Sequence, residues 1–367
     1  MDIVSFFTYG NVWLYLASIA ILGVAYINGW SDAPNAIATA ITTRCMKARS
    51  AIIMAALCNF VGVLAAGFFT IWIVSLGGSS GVAGTISSIV SFPDDANTSQ
   101  ALMVVTAGMA SVIVFSIGAT IFGYPSSESN EIVGGLTGAF LVFNLFNGYE
   151  LFQGVGWNQW LSVLIGLVGS AVLGFFLGYG FTKLIELICK NLTRGKTTAF
   201  FTKGQIASAA LMSVTHGVQD GLKLVGIFLV LGLIAQGNFG GTPTIGIESW
   251  WIVLAVGIVI SAGTLNGGYK VIKTVGSEMA SLQKYQAFAS DLAGGIGLLL
   301  ATYLGVPVST GQVKMSAITG AGASKGLSKV KWSVAGKMVG TWLIVLPGSM
   351  ILSGLICAMV LGLSSLF

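Results

Sequence analysis

Apolar runs separated by short polar turns fill this chain from end to end. A membrane-spanning helix needs about 20 such residues. Ten stretches qualify: residues 12–43, 51–76, 101–123, 125–147, 160–183, 206–235, 250–268, 286–305, 307–324 and 333–363. The pattern therefore predicts helices throughout. The first and sixth stretches exceed one straight crossing, and each carries a polar block in its interior. Backbone at membrane depth breaks its helix only where it is buried or lines a cavity, so both predict broken helices.

The polar blocks come in pairs. Asn28-Gly29-Trp30-Ser31-Asp32-Ala33-Pro34-Asn35-Ala36 has an echo in His216-Gly217-Val218-Gln219-Asp220-Gly221-Leu222-Lys223. Pro125-Ser126-Ser127-Glu128-Ser129-Asn130 has an echo in Pro307-Val308-Ser309-Thr310-Gly311-Gln312. Asp32 and Asp220 lie 188 residues apart, Pro125 and Pro307 182 apart, in the same order. One costly polar pattern per half is the sequence mark of a transporter with its site between two repeats.

Composition narrows the class. The chain is 55% hydrophobic and 8% charged, with a mean hydropathy of +0.90. A soluble domain carries about 25% charged residues, so a polytopic membrane protein is expected. Glycine, 51 of 367 residues, suits helices that approach closely or break. Cys45, Cys58, Cys189 and Cys357 show no metal or redox spacing and read as packing residues. The start of the chain lacks the basic flank of a signal peptide.

Charge distribution supplies a topology. Basic residues gather in four loops: Arg44 to Arg49, Lys183 to Lys203, Lys270 to Lys284, and Lys325 to Lys337. Loops 77–100, 148–159 and 236–249 hold no Lys or Arg, but do hold Asp94, Asp95, Glu150 and Glu248. The positive-inside rule puts the basic loops in the cytoplasm, and basic residues confined to short loops argue against a nucleic-acid partner. Threading the stretches through that assignment inverts the second half relative to the first, with both termini outside. Residues 1–183 then form the first repeat, 184–205 a basic cytoplasmic linker and 206–367 the second repeat. Re-entrant hairpins could replace full crossings, so about 10–12 membrane segments are expected.

The chemistry sits in the blocks. A carboxylate in mid-span costs about 2.5–3.5 kcal/mol on insertion scales and persists where it faces a cavity or a cation. Two such Asp in repeated blocks favour a site over a helix end. Pro34 frees carbonyls; with Ser31, Asp32 and Asn35 they make hard oxygen ligands for a cation such as sodium. Gly217 and Gly221 would break the second copy, where Gln219 and Asp220 offer oxygens. Lys223 either pairs with Asp220 or helps to hold an anion. Ser127, Ser309 and Thr310, with Ser126 and Ser129 beside them, open helical stretches, where hydroxyls cap a helix or bind an anion with the free N–H groups. Glu128, Glu131 and Lys314 add charge, and Asn130 and Gln312 add amides. His216, the lone histidine, reads as a structural hydrogen-bonding residue before a proton relay.

These residues resemble the inorganic phosphate transporter (PiT) family of sodium- or proton-coupled permeases. That family's Gly-Ala-Asn-Asp-x-Ala-Asn-Ala motif is similar to Gly29 through Ala36, and its second copy to His216 through Lys223. Its Pro-Val-Ser-Thr-Thr-His motif resembles Pro307-Val308-Ser309-Thr310, departing at Gly311 and Gln312. Gly263 through Gly276 resembles a third family stretch. Ser31 and Gln219 stand where the family has Asn, Glu128 where it has Thr, and Asn130 and Gln312 where it has His.

The resemblance implies an all-α polytopic membrane protein of two inverted-topology repeats. It implies import of inorganic phosphate coupled to sodium or protons, by alternating access about a midplane site. The phosphate set would be Asp32, Ser127, Glu128, Asp220, Lys223, Ser309 and Thr310. The sodium set would be Ser31, Asp32, Asn35, Asn130, Gln219, Asp220 and Gln312. It further implies the plasma membrane, homodimers, no cofactor beyond the coupling ion and no transition metal. Near neutral pH phosphate keeps a proton that a site carboxylate can accept, while sulfate offers that carboxylate only lone pairs. A relative carrying sulfate or another oxyanion is the nearest alternative. A passive channel fits poorly with midplane charges of both signs, and an enzyme lacks any HExxH-like spacing.

Overall fold

The computed structural model describes residues 3–76, 81–122, 127–239, 241 and 245–366. Its elements are α1 (Ile3–Thr8), α2 (Val12–Ser31), α3 (Pro34–Thr42), α4 (Ala48–Ser75), α5 (Gly81–Ser87), α6 (Thr98–Phe122) and α7 (Glu128–Asn147). Then come α8 (Trp157–Cys189), α9 (Arg194–Ala235), α10 (Trp250–Asn266), α11 (Tyr269–Lys273), α12 (Lys284–Tyr303), α13 (Thr310–Ala323) and α14 (Trp332–Ser364). Among the described residues β structure is limited to two isolated bridges. Among the described residues, each of the ten apolar stretches is mainly helical. Among the described residues, seven helical runs are long and apolar enough to cross a bilayer: Val12–Thr42, Ala48–Ser75, Thr98–Phe122, Trp157–Cys189, Thr197–Ala235, Ile247–Asn266 and Trp332–Ser364. The protein is thus a multi-pass membrane protein. Helix α13, with 14 residues, is about 21 Å long, too short to cross alone.

The two long polar-bearing stretches behave differently. The first breaks where expected, between α2 and α3. Pro34 opens α3 and has no N–H to return to Trp30, so the ladder stops at Asp32–Ala33. The second does not break: α9 runs unbroken for 42 residues through His216–Lys223. Gly217 and Gly221 serve packing instead. A Cβ at Gly217 would stand 2.3 Å from the Asn59 carbonyl oxygen, and one at Gly221 2.7 Å from Val63, so both glycines let α4 press against α9. Without a proline nothing interrupts the ladder.

Packing relates the two halves. Helix α2 packs on α6 and α10, while α9 packs on α12 and α4. Helix α7 packs on α6 and α14, while α13 packs on α12 and α8. Helix α6 packs on α14, as α12 packs on α8. Exchanging α2 with α9, α4 with α10, α6 with α12, α7 with α13 and α8 with α14 turns each of these pairings into another. The largest core cluster joins both halves, drawing on Leu14, Ile21, Leu102, Phe140, Val225 and Val256. Helices α8 and α14, 33 residues each, turn large apolar side chains such as Val168, Phe176, Leu343 and Ile351 outward. Helices α2 and α10 meet backbone to backbone: a Cβ on Gly29 would stand 1.9 Å from the Ile260 carbonyl oxygen, and one on Gly263 1.9 Å from that of Tyr26.

Candidate functional site

Four local structures build the site: the α2–α3 break, the N-termini of α7 and α13, and the middle of α9. The break presents Asp32 and Asn35. Both the Asp32 and the Ala33 N–H groups return to the Asn28 carbonyl, at 2.9 and 3.2 Å, and Asn35 Nδ2 donates to Asp32 Oδ1 at 3.4 Å. Ser31 turns its hydroxyl to the Ile27 carbonyl (2.9 Å).

Asp220 is the hub. Its Oδ1 accepts from Lys223 Nζ at 2.6 Å. Its Oδ2 accepts from Asn28 Nδ2 at 3.0 Å and from Thr310 Oγ1 at 3.1 Å, and His216 Nε2 stands 3.2 Å from it. Asp220 and Lys223 share a face of the unbroken α9 because they are three residues apart. Lys223 Nζ also donates to Ser129 Oγ (2.5 Å) and to the Val308 carbonyl (2.7 Å). All three ammonium protons are therefore engaged, and Lys223 ties α9 to the starts of both α7 and α13. Ser129 Oγ donates in turn to the Val308 carbonyl (3.2 Å).

The two helix N-termini are not equivalent. Ser309 caps α13, accepting from Gln312 N at 3.4 Å. Ser127 holds the same place before α7 without a side-chain cap, and its hydroxyl has no partner. Gly311, in the first turn of α13, lets that helix approach the break. A Cβ there would stand 3.1 Å from Asn35 Nδ2 and 3.8 Å from Asp32 Oδ1.

Asp32, Asn35, Ser127, Glu128, Ser129, Asn130, Asp220, Lys223, Ser309 and Thr310 are all buried, at 6% exposure or less. Buried polar atoms are almost always hydrogen-bonded. Among the described residues, Asn28 Oδ1, Asn35 Oδ1, Ser127 Oγ, Glu128 Oε2, Asn130 Nδ2 and Gln312 Nε2 find no partner. Such a set marks a place built for something else to bind. Charge points the same way. Asp32, Glu128, Glu131 and Asp220 lie within electrostatic reach of one another, with Lys223 as their near cation. Four carboxylates gather around one ammonium, so acids outnumber bases at the site. The arrangement can hold cations or protons, and an anion only together with them.

The structure thus brings together most of the residues expected from the sequence. Gln219 stands aside: its Oε1 accepts from Thr302 (2.5 Å) and its Nε2 donates to the Val306 carbonyl (3.1 Å), on the α12–α13 link. Gln312 Oε1 accepts from Ser170 Oγ of α8 (2.9 Å). Pro125 and Ser126 lie outside the described residues. His216 stands between α4 and the hub, with Nδ1 3.1 Å from Asn59 Oδ1 and Nε2 3.2 Å from Asp220 Oδ2. Sequence reasoning missed Asn28 as a member, although it opens the first block, and it missed the Glu131–Ser116 hydrogen bond.

Comparison with known proteins bears on the family and the fold. The sequence profile of the Phosphate transporter family matches residues 28–196 and 189–353. A probable low-affinity inorganic phosphate transporter of Bacillus subtilis is 33% identical over 90% of this chain and 92% of its own. One from Rhizobium meliloti is 32% identical over 90% of this chain and 91% of its own. A solved structure titled the sodium-dependent phosphate transporter shares the fold, with a TM-score of 0.81 at 24% identity, covering 96% of this chain and 99% of that one. The chain belongs to the phosphate transporter family.

Proposed function

We propose that the protein imports inorganic phosphate across the plasma membrane, coupled to sodium. The observation that carries this reading is the composition of the buried site: four carboxylates, one fully engaged lysine and two helix N-termini. A doubly negative anion enters such a place only with cations or protons, because uncompensated buried charge is costly. Family membership supplies phosphate, and the name of the structural neighbour supports sodium.

Each group has work to do. Asp32, Asn35 and Asp220 present oxygens for the cation, whereas the side-chain oxygens of Gln219 and Gln312 accept from Thr302 and Ser170. Ser127 and Ser309 hold phosphate with the N–H groups that open α7 and α13, the Thr310 N–H among them, while the Thr310 hydroxyl donates to Asp220. Lys223 contributes its field, since Asp220, Ser129 and Val308 take its protons. Glu128 and Asp220 accept the proton that phosphate keeps and sulfate lacks. The packing exchange between halves and the basic loops support two inverted repeats with those loops cytoplasmic and the termini outside. Rocking of one set of helices against the other would alternate access to the site.

The test is uptake of radiolabelled phosphate by the purified protein in proteoliposomes. An inward sodium gradient should drive accumulation that excess sulfate leaves unchanged. Accumulation with a proton gradient alone would reassign the coupling ion. No gradient-driven uptake with either ion would overturn the reading.

A further inference from the structure

Helix α3 carries the polar character of the site onward. Asn35, Thr39 and Thr43 recur every four residues, so they lie along one face. Asn35 belongs to the site. One turn on, Thr39 Oγ1 donates to Asp291 Oδ1 of α12 at 2.6 Å, and Lys314 Nζ of α13 donates to Thr39 Oγ1 at 3.2 Å and to Asp291 Oδ1. Thr39, Asp291 and Lys314 are buried at 1% exposure or less. Among the described residues Asp291 Oδ2 has no partner. Another turn on, Thr43 lines an open cavity of about 630 Å³, with Glu186, Phe201, Gln283, Tyr285 and Lys325 in its wall. On α3 the Thr39 turn therefore lies between Asn35 of the site and Thr43 of that cavity, and its cluster draws on three separate helices.

We infer that the Thr39–Asp291–Lys314 cluster is the barrier between the binding site and this cavity, parting when the site empties towards it. The inference rests on the transport reading above. The chemistry suits the task. An ion pair in a dry layer recloses by itself, because separated buried charges are costly. Yet its ends can trade partners with passing solutes: Lys314 for an anion, Asp291 through its free oxygen for a cation. An apolar plug would offer a phosphate ion nothing. Lys314 also lies four residues beyond Thr310, on the same face of α13, so a shift of α13 moves site and barrier together.

Accessibility tests this directly. In the full-length chain with Cys45, Cys58, Cys189 and Cys357 changed to Ser, Gly311→Cys places a thiol beside Asn35 and Asp32 on the site side of the layer. A membrane-impermeant methanethiosulfonate cation is applied from the face that carries the basic loops, and separately from the other. With the cluster intact, labelling from the basic-loop face should be slow. Adding Asp291→Asn, or Lys314→Met should the first not fold, should speed it by about tenfold and leave labelling from the opposite face unchanged. Exchanging the pair, Asp291→Lys with Lys314→Asp, should restore the slow rate. Equal rates with and without the ion pair would overturn the inference. Wild-type phosphate uptake reports the transport reading separately, so the two can fail independently.

Discussion

Asp220 and Asp32 occupy matching places in the two halves but hold the protein differently. Asp220 receives Lys223, Asn28 and Thr310, whereas among the described residues the Asp32 side chain receives just the long Asn35 contact. Asp220→Asn leaves Lys223 buried without its counter-ion, and breaking such a pair costs about 3–5 kcal/mol. That variant should lose both transport and thermal stability. Asp32→Asn should lose sodium-driven uptake while melting near the wild-type temperature. Melting curves in detergent beside uptake assays separate the two, and equal melting losses would contradict the assignment. The blocks made both Asp visible in the sequence because they repeat. Asp291 was not visible: it has no echo in the first half, and its partners Thr39 and Lys314 lie 252 and 23 residues away. Only the fold joins them.

At the scale of elements, proline and glycine carried unequal information. Pro34 announces the α2–α3 break because no helix supplies its missing N–H. Replacing it removes that constraint. Pro34→Ala should therefore extend α2 towards α3, draw Asp32 away from Gly311 and abolish phosphate uptake while the protein stays folded; wild-type uptake would show that the break does not depend on the proline. Glycines in the second block pointed the wrong way, since in a membrane helix a glycine serves close approach as readily as a break. The fold resolves the ambiguity by pressing α4 onto Gly217 and Gly221. Gly29 and Gly263 make the same kind of contact between α2 and α10. Gly29→Val forces those backbones apart; overpacking costs about 1–3 kcal/mol, which should lower the melting temperature of the purified protein. An unchanged melting temperature would show that the α2–α10 contact is not tight.

Across the whole molecule, the helical class and all ten apolar stretches were legible because hydrophobic length is a strong signal in membrane proteins. The convergence of the four blocks was legible only as an expectation drawn from their repetition; the contacts among Asp220, Lys223, Thr310 and Ser129 required the fold. How the site is closed was not legible at all, because buried layers such as Thr39–Asp291–Lys314 are assembled from unrelated segments. The central claim is that phosphate and its coupling cation share one buried site. If so, each must strengthen the binding of the other by the same factor. The most direct measurement is calorimetric titration of the purified protein with phosphate, in buffer with sodium and in buffer where an organic cation replaces it. The account predicts binding tighter by about tenfold or more in sodium, with the difference lost in Asp32→Asn. Equal phosphate affinity in the two buffers would contradict it.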